Sequence, residues 1–411
     1  MRHAVRRREL SQQHLKTFGD RTETAPSAGC KSEGGAWSSG RTAPRPGAGR
    51  PGELHRSPRR FQRAPVGLTG VGATAGGANM TTVDEGTSFD AVLNCLRAHG
   101  ENPSAFLALN TGNEYFTTRA VDGVVAYRRA GRYLIQFGGP FAAPEDQAAL
   151  LTAFLDFAGE QRRRVVAIQL QRSDAELYAE SGFTVNQVGG SYSVHLPEFT
   201  LRGTRFMKLR NKISRARRSG LEVSEVPLEK CQQDIETIDR QWLRGKGRHV
   251  KEIEFLVGQC GGPAQRERRL LLGRVEGVPV AYISYSPAYG SRPGWLHDLS
   301  RRVPSVAPGV MEAINLQAME TFKNEGAEWL HFGFTPFTSL SPDHEVSSAS
   351  RGTARFMRFL ADHGEKVYPA ASQLAYKEKW NPHLVLPEYL AFHGRARFGA
   401  IWQVLRVTKS V

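Results

Sequence analysis

Thr204-Arg205-Phe206-Met207-Lys208-Leu209-Arg210-Asn211-Lys212-Ile213-Ser214-Arg215-Ala216-Arg217-Arg218-Ser219-Gly220 is the stretch on which the organisation of the chain turns. Phe206, Leu209, Ile213 and Ala216 step by 3, 4 and 3 residues and so make one apolar stripe of a helix. Arg205, Lys208, Lys212 and Arg215 repeat those steps as a basic stripe beside it. Arg210, Arg217 and Arg218 add charge elsewhere, and Gly220 is a natural C-cap. The stretch holds no Asp or Glu. Like charges three and four residues apart destabilise a helix by about 0.2–0.5 kcal/mol per pair. A polyanion is the simplest compensating partner. Three readings stand for this helix: RNA phosphates, an anionic lipid surface, or a plain solvated face.

Outward from it, each flank reads as an α/β unit. On the N-terminal side Phe89, Val92, Leu93 and Leu96 recur at helical spacing. Residues 115–118, 124–128 and 133–137 read as strands, with a hairpin turn at 129–132. Pro144-Glu145-Asp146 opens a helix carrying Leu150, Leu151, Phe154 and Phe157, with acids in its first turn. A strand at 164–170, a short helix at 173–181 closed by Gly182, and a strand at 183–188 follow. On the C-terminal side 228–243 is helical, 268–275 and 279–286 form a strand pair about Glu276-Gly277, and 295–299 is a strand. A helix at 309–323 has Pro308 at its start, 329–332 is a strand and 352–361 a helix. The expected division is an N-terminal unit at 80–200, a connecting helix at 201–220 and a C-terminal unit at 221–411.

The charge is uneven. The 411 residues hold 55 Lys and Arg against 40 Asp and Glu, a net +15, and residues 1–79 alone hold 14 against 5. That segment is rich in Gly, Pro, Ser and Arg, with only nine Phe, Leu or Val and no Ile. It cannot bury enough apolar area to offset ordering, so it is expected to be a disordered arm. Met80 is an alternative start that would leave the arm untranslated. No apolar run nears the ~20 residues of a membrane span. Cys30, Cys95, Cys231 and Cys260 lie far apart without ligand spacing, which argues against a disulfide scaffold or a structural zinc site. A cytoplasmic location is expected, with contact at the inner membrane face left open. No metal and no cofactor are expected. Asp343-His344-Glu345 sits in a Ser/Pro-rich loop and reads as loop rather than ligand set.

His297-Asp298-Leu299-Ser300-Arg301 ends a strand. Asp298 and Arg301, three apart, are placed to cooperate: a carboxylate as general base or its orienter, and a guanidinium on a carbonyl oxygen or phosphate. Gly309 begins a helix whose free N–H groups favour an anion. The connection 301–309 lacks the compact glycine loop that cradles acetyl-CoA pyrophosphate in acetyltransferase-like folds. Lys377 and Lys379 add cations near the C-terminus.

From Phe89 to Leu390 the chain resembles the C-terminal catalytic domain of bacterial phosphatidylglycerol lysyltransferases and alanyltransferases. The resemblance is carried by Gly139-Pro140 with Pro144-Glu145-Asp146, Leu177-Tyr178 and Gly182-Phe183. It continues in Leu209-Arg210-Asn211-Lys212 through Gly220, and in Asp298-Leu299-Ser300-Arg301 with Pro308-Gly309. Gly333-Phe334-Thr335-Pro336, Lys377-Glu378-Lys379-Trp380-Asn381-Pro382 and Tyr389-Leu390-Ala391 complete it. The resemblance implies two tandem GNAT-like acyltransferase modules joined by a basic, tRNA-binding helix. It implies transfer of an amino acid from aminoacyl-tRNA to a hydroxyl or amine, either the glycerol of phosphatidylglycerol or a small natural-product acceptor. It places catalysis on Asp298 and Arg301 and tRNA contact on Arg205, Lys208, Arg210, Lys212, Arg215, Arg217 and Arg218; His297, Gly309, Gly333, Lys377 and Lys379 are the candidates for substrate positioning. Phe334-Thr335 departs from the smaller pair expected there. The alternatives are an acyl-CoA-dependent N-acyltransferase and a non-catalytic module that binds RNA or a membrane surface.

Overall fold

The computed structural model describes residues 88–246, 254–363 and 370–409. The arm at 1–79 and the start at Met80 lie outside the described residues. Chain order runs α1 (Phe89–His99), β1 (Glu114–Thr118), β2 (Val121–Ala130), β3 (Tyr133–Ala142), α2 (Gln147–Glu160), β4 (Arg164–Leu170), α3 (Arg172–Glu180) and β5 (Phe183–His195). Then come α4 (Met207–Arg218), β6 (Leu221–Glu225), α5 (Leu228–Lys246), β7 (Arg269–Val275), β8 (Val278–Ala288), β9 (Gly294–Arg302), α6 (Val310–Asn324) and β10 (Trp329–Pro336). The chain closes with α7 (Arg351–His363), α8 (Ala370–Glu378), β11 (Leu384–His393) and α9 (Phe398–Val407).

The eleven strands of the described residues form one sheet, ordered β1-β2-β3-β4-β11-β5-β10-β9-β8-β7-β6. In the first half β3 and β4 are parallel across the α2 crossover, and β11 pairs antiparallel with β4. In the second half β9 and β10 are parallel across α6, and β5 pairs antiparallel with β10. The halves therefore exchange their last strands, and β5 meets β11 at the centre. A cut at residue 200 does not divide this sheet, because 384–393 lies inside the first half.

Each half is covered on both faces. Leu150, Leu151, Phe154 and Phe157 of α2 pack with Phe116 and Tyr127 on one face of the first half. Val92, Leu93 and Leu96 of α1 join Met357 of α7 and Val404 of α9 on the other. In the second half Ile235 and Ile238 of α5 pack against Leu270, Tyr282 and Leu299. Opposite them, Leu209, Ile213 and Ala216 of α4 pack with Val310, Ala313 and Ile314 of α6. The apolar stripe read from the sequence is thus the buried face of α4, and Arg205, Lys208, Lys212 and Arg215 are exposed.

Several boundaries differ from expectation for identifiable reasons. Strand β5 continues through Gly189-Gly190, a pair that reads as a breaker. A Cβ on Gly189 would lie 2.2 Å from the Thr335 carbonyl oxygen, so the glycine is what lets β10 approach. Pro144-Glu145-Asp146 precedes α2, with Asp146 at the N-cap, so the helix has no acid in its first turn. Pro308 is not the first residue of α6: Gly309 is its N-cap, left-handed at φ 100°. Strand β11 lies beyond the elements read from the sequence, and it contains Pro387, a residue type that ordinarily argues against a central strand. Pro387 is in register with Gly190 of β5, one residue before a shift between Glu388 and Tyr389, and pairing of β11 with β4 begins only at Tyr389, so no described strand neighbours Pro387 on that side.

Candidate active site

Strands β9 and β10 pair only at 294–296 against 329–331. Beyond Leu296 and His331 they part, and a cavity of about 890 Å³ opens between their C-terminal ends. Such crevices are where parallel α/β sheets bind ligands. His297, Asp298, Arg301, Gly309, Gly333, Lys377 and Lys379 all line it, as does Lys212 alone of the basic residues of 204–220, so the structure gathers the catalytic and positioning candidates in one place and leaves the other tRNA-contact candidates outside the cavity.

A β-bulge arranges the β9 side chains. Ser284 is opposite Leu299 while Tyr285 is opposite His297, which leaves Asp298 as the extra residue. Simple alternation would put Asp298 and Arg301 on opposite faces; the bulge turns both to the α5 face. They do not bond as a pair, however. Asp298 Oδ2 lies 3.2 Å from Arg268 Nε, with both side chains fully buried. Arg301 Nη1 lies 2.9 Å from Asp239 Oδ2 on α5, and its guanidinium sits 4.8 Å over the Trp242 ring. Burial raises the Asp298 carboxyl above its ordinary range; the Arg268 charge and the Ser284 and Ser286 hydroxyls oppose the rise. Tyr282 donates to Asp239 at 2.6 Å, so Arg301 is aimed by a fixed carboxylate.

His297 faces the other way, toward α6. Its Nδ1 lies 3.1 Å from Asn315 Oδ1. Burial, chiefly, and the Lys377 charge push it down to about 4, so the ring is neutral at pH 7. Lys377 on α8 donates to the Gly333 and Phe334 carbonyls at 2.7 and 3.1 Å and satisfies backbone acceptors on β10 where it leaves β9. Burial pushes Lys377 down to about 7 and Glu388 of β11 up to about 8, each partly offset by the other's charge.

At the start of α6 the buried Glu312 carboxylate accepts from Lys379 Nζ at 3.1 Å and lies 3.9 Å from Lys212 Nζ. Lys212 thus belongs to both the α4 stripe and the cavity wall. A Cβ on Gly309 would lie 2.1 Å from the Lys212 carbonyl oxygen, so glycine is required where the two helices meet. Arg210 is turned from the stripe and donates to the Leu201 and Gly203 carbonyls at 2.5 and 2.7 Å, a structural task. Arg217 and Arg218 are exposed in the last turn. Another part of the cavity wall is apolar, built from Phe356, Met357 and Leu360 of α7 and Ile401, Val404 and Leu405 of α9.

Asp343, His344 and Glu345 do separate structural work: Glu345 Oε2 accepts from Asn186 at 3.1 Å, and the His344 carbonyl accepts from Tyr389 at 2.7 Å. Among the described residues no cluster of three or more His, Cys, Asp or Glu could hold a metal, and no helix is long and apolar enough to cross a membrane. Cys95, Cys231 and Cys260 are free thiols. Sequence reasoning missed Arg268, Asp239, Trp242, Asn315, Glu312 and Glu388. Arg268 reads in the sequence only as the start of a strand, and nothing near any of these residues in sequence ties it to Asp298, Arg301 or His297.

Residues 94–392 match the family described as phosphatidylglycerol lysyltransferase, C-terminal. The chain is 24% identical over 302 residues to the phosphatidylglycerol lysyltransferase of Bacillus subtilis, covering 72% of this chain and 34% of that protein. It is 22% identical over 321 residues to the Staphylococcus epidermidis enzyme, covering 77% and 37%. The chain therefore spans about a third of the length of these curated relatives. Its fold is shared with the C-terminal domain of a putative lysylphosphatidylglycerol synthetase from Agrobacterium fabrum, with TM-score 0.64, 20% identity, and 79% and 96% of the two chains covered. It is shared equally with L-PGS from Bacillus licheniformis, with TM-score 0.62, 22% identity, and 78% and 96% covered. With the parted strands, the gathered site residues and a match spanning most of the folded chain, the protein belongs to the phosphatidylglycerol lysyltransferase C-terminal domain family.

Proposed function

We propose that the chain transfers an amino acid from aminoacyl-tRNA to the glycerol hydroxyl of phosphatidylglycerol. The observation that carries this reading, beside family membership, is the two-sided cavity: cations and a helix N-terminus form one part of its wall, and the apolar side chains of α7 and α9 another. A phosphate-bearing headgroup fits the first and the acyl region of a lipid fits the second. The exposed stripe Arg205, Lys208 and Arg215 continues from Lys212 on the cavity wall and is a backbone-binding surface for the tRNA acceptor arm.

The aminoacyl ester is already activated, so the protein's task is to align hydroxyl and ester, move a proton and steady the developing oxyanion. Arg301, aimed by Asp239, supplies the positive charge for the ester carbonyl or the acceptor phosphate. Asp298, sealed against Arg268, orients the bulge that presents Arg301 and His297; its burial fits an orienting role better than that of a base. The domain would work at the inner membrane face. The donor class is tested by supplying lysyl-tRNA, alanyl-tRNA or acetyl-CoA with phosphatidylglycerol vesicles and following consumption of each donor. Faster loss of an aminoacyl ester, dependent on vesicles, is expected; consumption of acetyl-CoA alone would establish the acyl-CoA alternative.

A further inference from the structure

His297 has the surroundings of a base with a fixed tautomer. Asn315 Oδ1 lies 3.1 Å from its Nδ1, and the Tyr285 hydroxyl donates to the same oxygen at 2.9 Å. The amide Nδ2 of Asn315 points at Met319 Sδ, 3.5 Å away, which sets the orientation of the amide. An amide oxygen only accepts, so the imidazole proton is on Nδ1 and the lone pair on Nε2. The ring lines the cavity, with Phe332 and Tyr376 at centroid distances of 5.9 and 6.0 Å. A base beside the reacting space, oriented by a second group that is itself held by a third, is the general arrangement of an activating relay.

We infer that His297, held in its Nδ1–H tautomer by Asn315 and Tyr285, is the general base that deprotonates the acceptor hydroxyl. The inference rests on the aminoacyl-transfer reading above. Nε2 takes the hydroxyl proton as the oxygen attacks the ester carbonyl carbon. A new C–O bond forms, the bond from that carbon to the tRNA ribose oxygen breaks, and the imidazolium returns its proton to that ribose oxygen. No charge or proton is left over, and neutral His297 is regenerated. The positioning role expected for His297 thereby becomes a chemical one, while Asp298 remains its neighbour on the opposite face.

Two readouts test it on the full chain. Nitrogen-15 NMR of the ring, assigned with His297→Gln, is expected to show Nδ1 protonated, and Asn315→Leu to release that preference; an Nε2–H ring in the wild type overturns the inference. In label transfer from lysyl- or alanyl-tRNA to phosphatidylglycerol, His297→Ala is expected to lose roughly 10²- to 10⁴-fold in rate. Added imidazole should restore part of it, a rescue that a merely misfolded variant would not show. An active wild type with His297→Ala within twofold of it overturns the base alone. A wild type inactive with every donor overturns the transfer reading and the base with it.

Discussion

Arg268 Nε and Asp298 Oδ2 face each other at 3.2 Å with no solvent reaching either side chain. Arg268 also donates to Asn110 Oδ1 at 2.8 Å and lies 5.0 Å over the Phe106 ring. The bulge that presents the site on β9 is therefore tied to a segment of the first half, preceding β1. A buried ion pair adds little by its presence but costs heavily when broken, because one charge is left without its partner. Arg268→Met is expected to destabilise the protein by about 3–5 kcal/mol. Combining it with Asp298→Leu should recover much of that. Urea unfolding of the two single variants and the double variant gives the coupling; additive losses would show that the pair does not act as a unit.

If the basic stripe on α4 and the turn before it holds tRNA as proposed, binding there can be separated from folding. Arg205, Lys208 and Arg215 are exposed, and exposed substitutions are usually worth less than about 0.5 kcal/mol. Changing these three to Glu should leave the unfolding midpoint nearly unmoved while weakening tRNA binding and flattening its dependence on salt. Arg210→Ala should do the reverse, because its guanidinium holds the Leu201 and Gly203 carbonyls. Filter binding across a salt series, beside thermal unfolding, separates the two. Unchanged salt dependence in the triple variant would remove α4 from the RNA surface.

Glu388 carries a pH signature. Burial lifts its carboxyl from 4.5 to about 8, so the folded state keeps a proton that the unfolded chain releases. Stability from this group is present below the unfolded value and is lost as pH rises through the folded one. Glu388→Gln should match wild type near pH 4.5 and gain on it through the window up to pH 8, by roughly a few kcal/mol at the top. Lys377, pushed down to about 7, titrates in the opposite sense and adds stability as pH rises above that value, so the measurement is the difference between variant and wild type. A difference constant with pH would show that Glu388 ionises normally.

Gly309 joins α6 to α4 without room for a side chain. Its φ is 100°, and an added Cβ would press on the Lys212 carbonyl oxygen at 2.1 Å. Gly309→Ala should lower stability by about 1–3 kcal/mol and reduce transfer by displacing Lys212 from the cavity wall. Wild-type stability and rate in that variant would show that the contact yields freely.

The sequence carried the local order well and the long-range pairing poorly. The stripe at Leu209, Ile213 and Ala216 was legible because helical periodicity reports a buried face directly, and that face is buried in α4. Asp298, Arg301 and Gly309 stand out in the sequence because their residue types suit the proposed chemistry and they lie close together, and all three line the cavity. The bulge at Asp298 was hidden, since nothing in His297-Asp298-Leu299 announces an extra residue in the ladder. Arg268 and Asn315 were hidden because they act across 30 and 18 residues of chain. The exchange of β5 and β11 between halves was hidden behind Gly189-Gly190 and Pro387, residues that argue against a strand wherever their neighbours are unknown.

The most direct measurement is label movement. The full chain is incubated with lysyl-tRNA or alanyl-tRNA carrying a radiolabelled amino acid and with phosphatidylglycerol vesicles, then extracted with organic solvent. The account predicts label in the lipid phase with one of the two donors, lost in Arg301→Ala. Label that stays in the aqueous phase with both donors, while the wild-type chain is folded and binds tRNA, would contradict lipid aminoacylation as the activity of this domain.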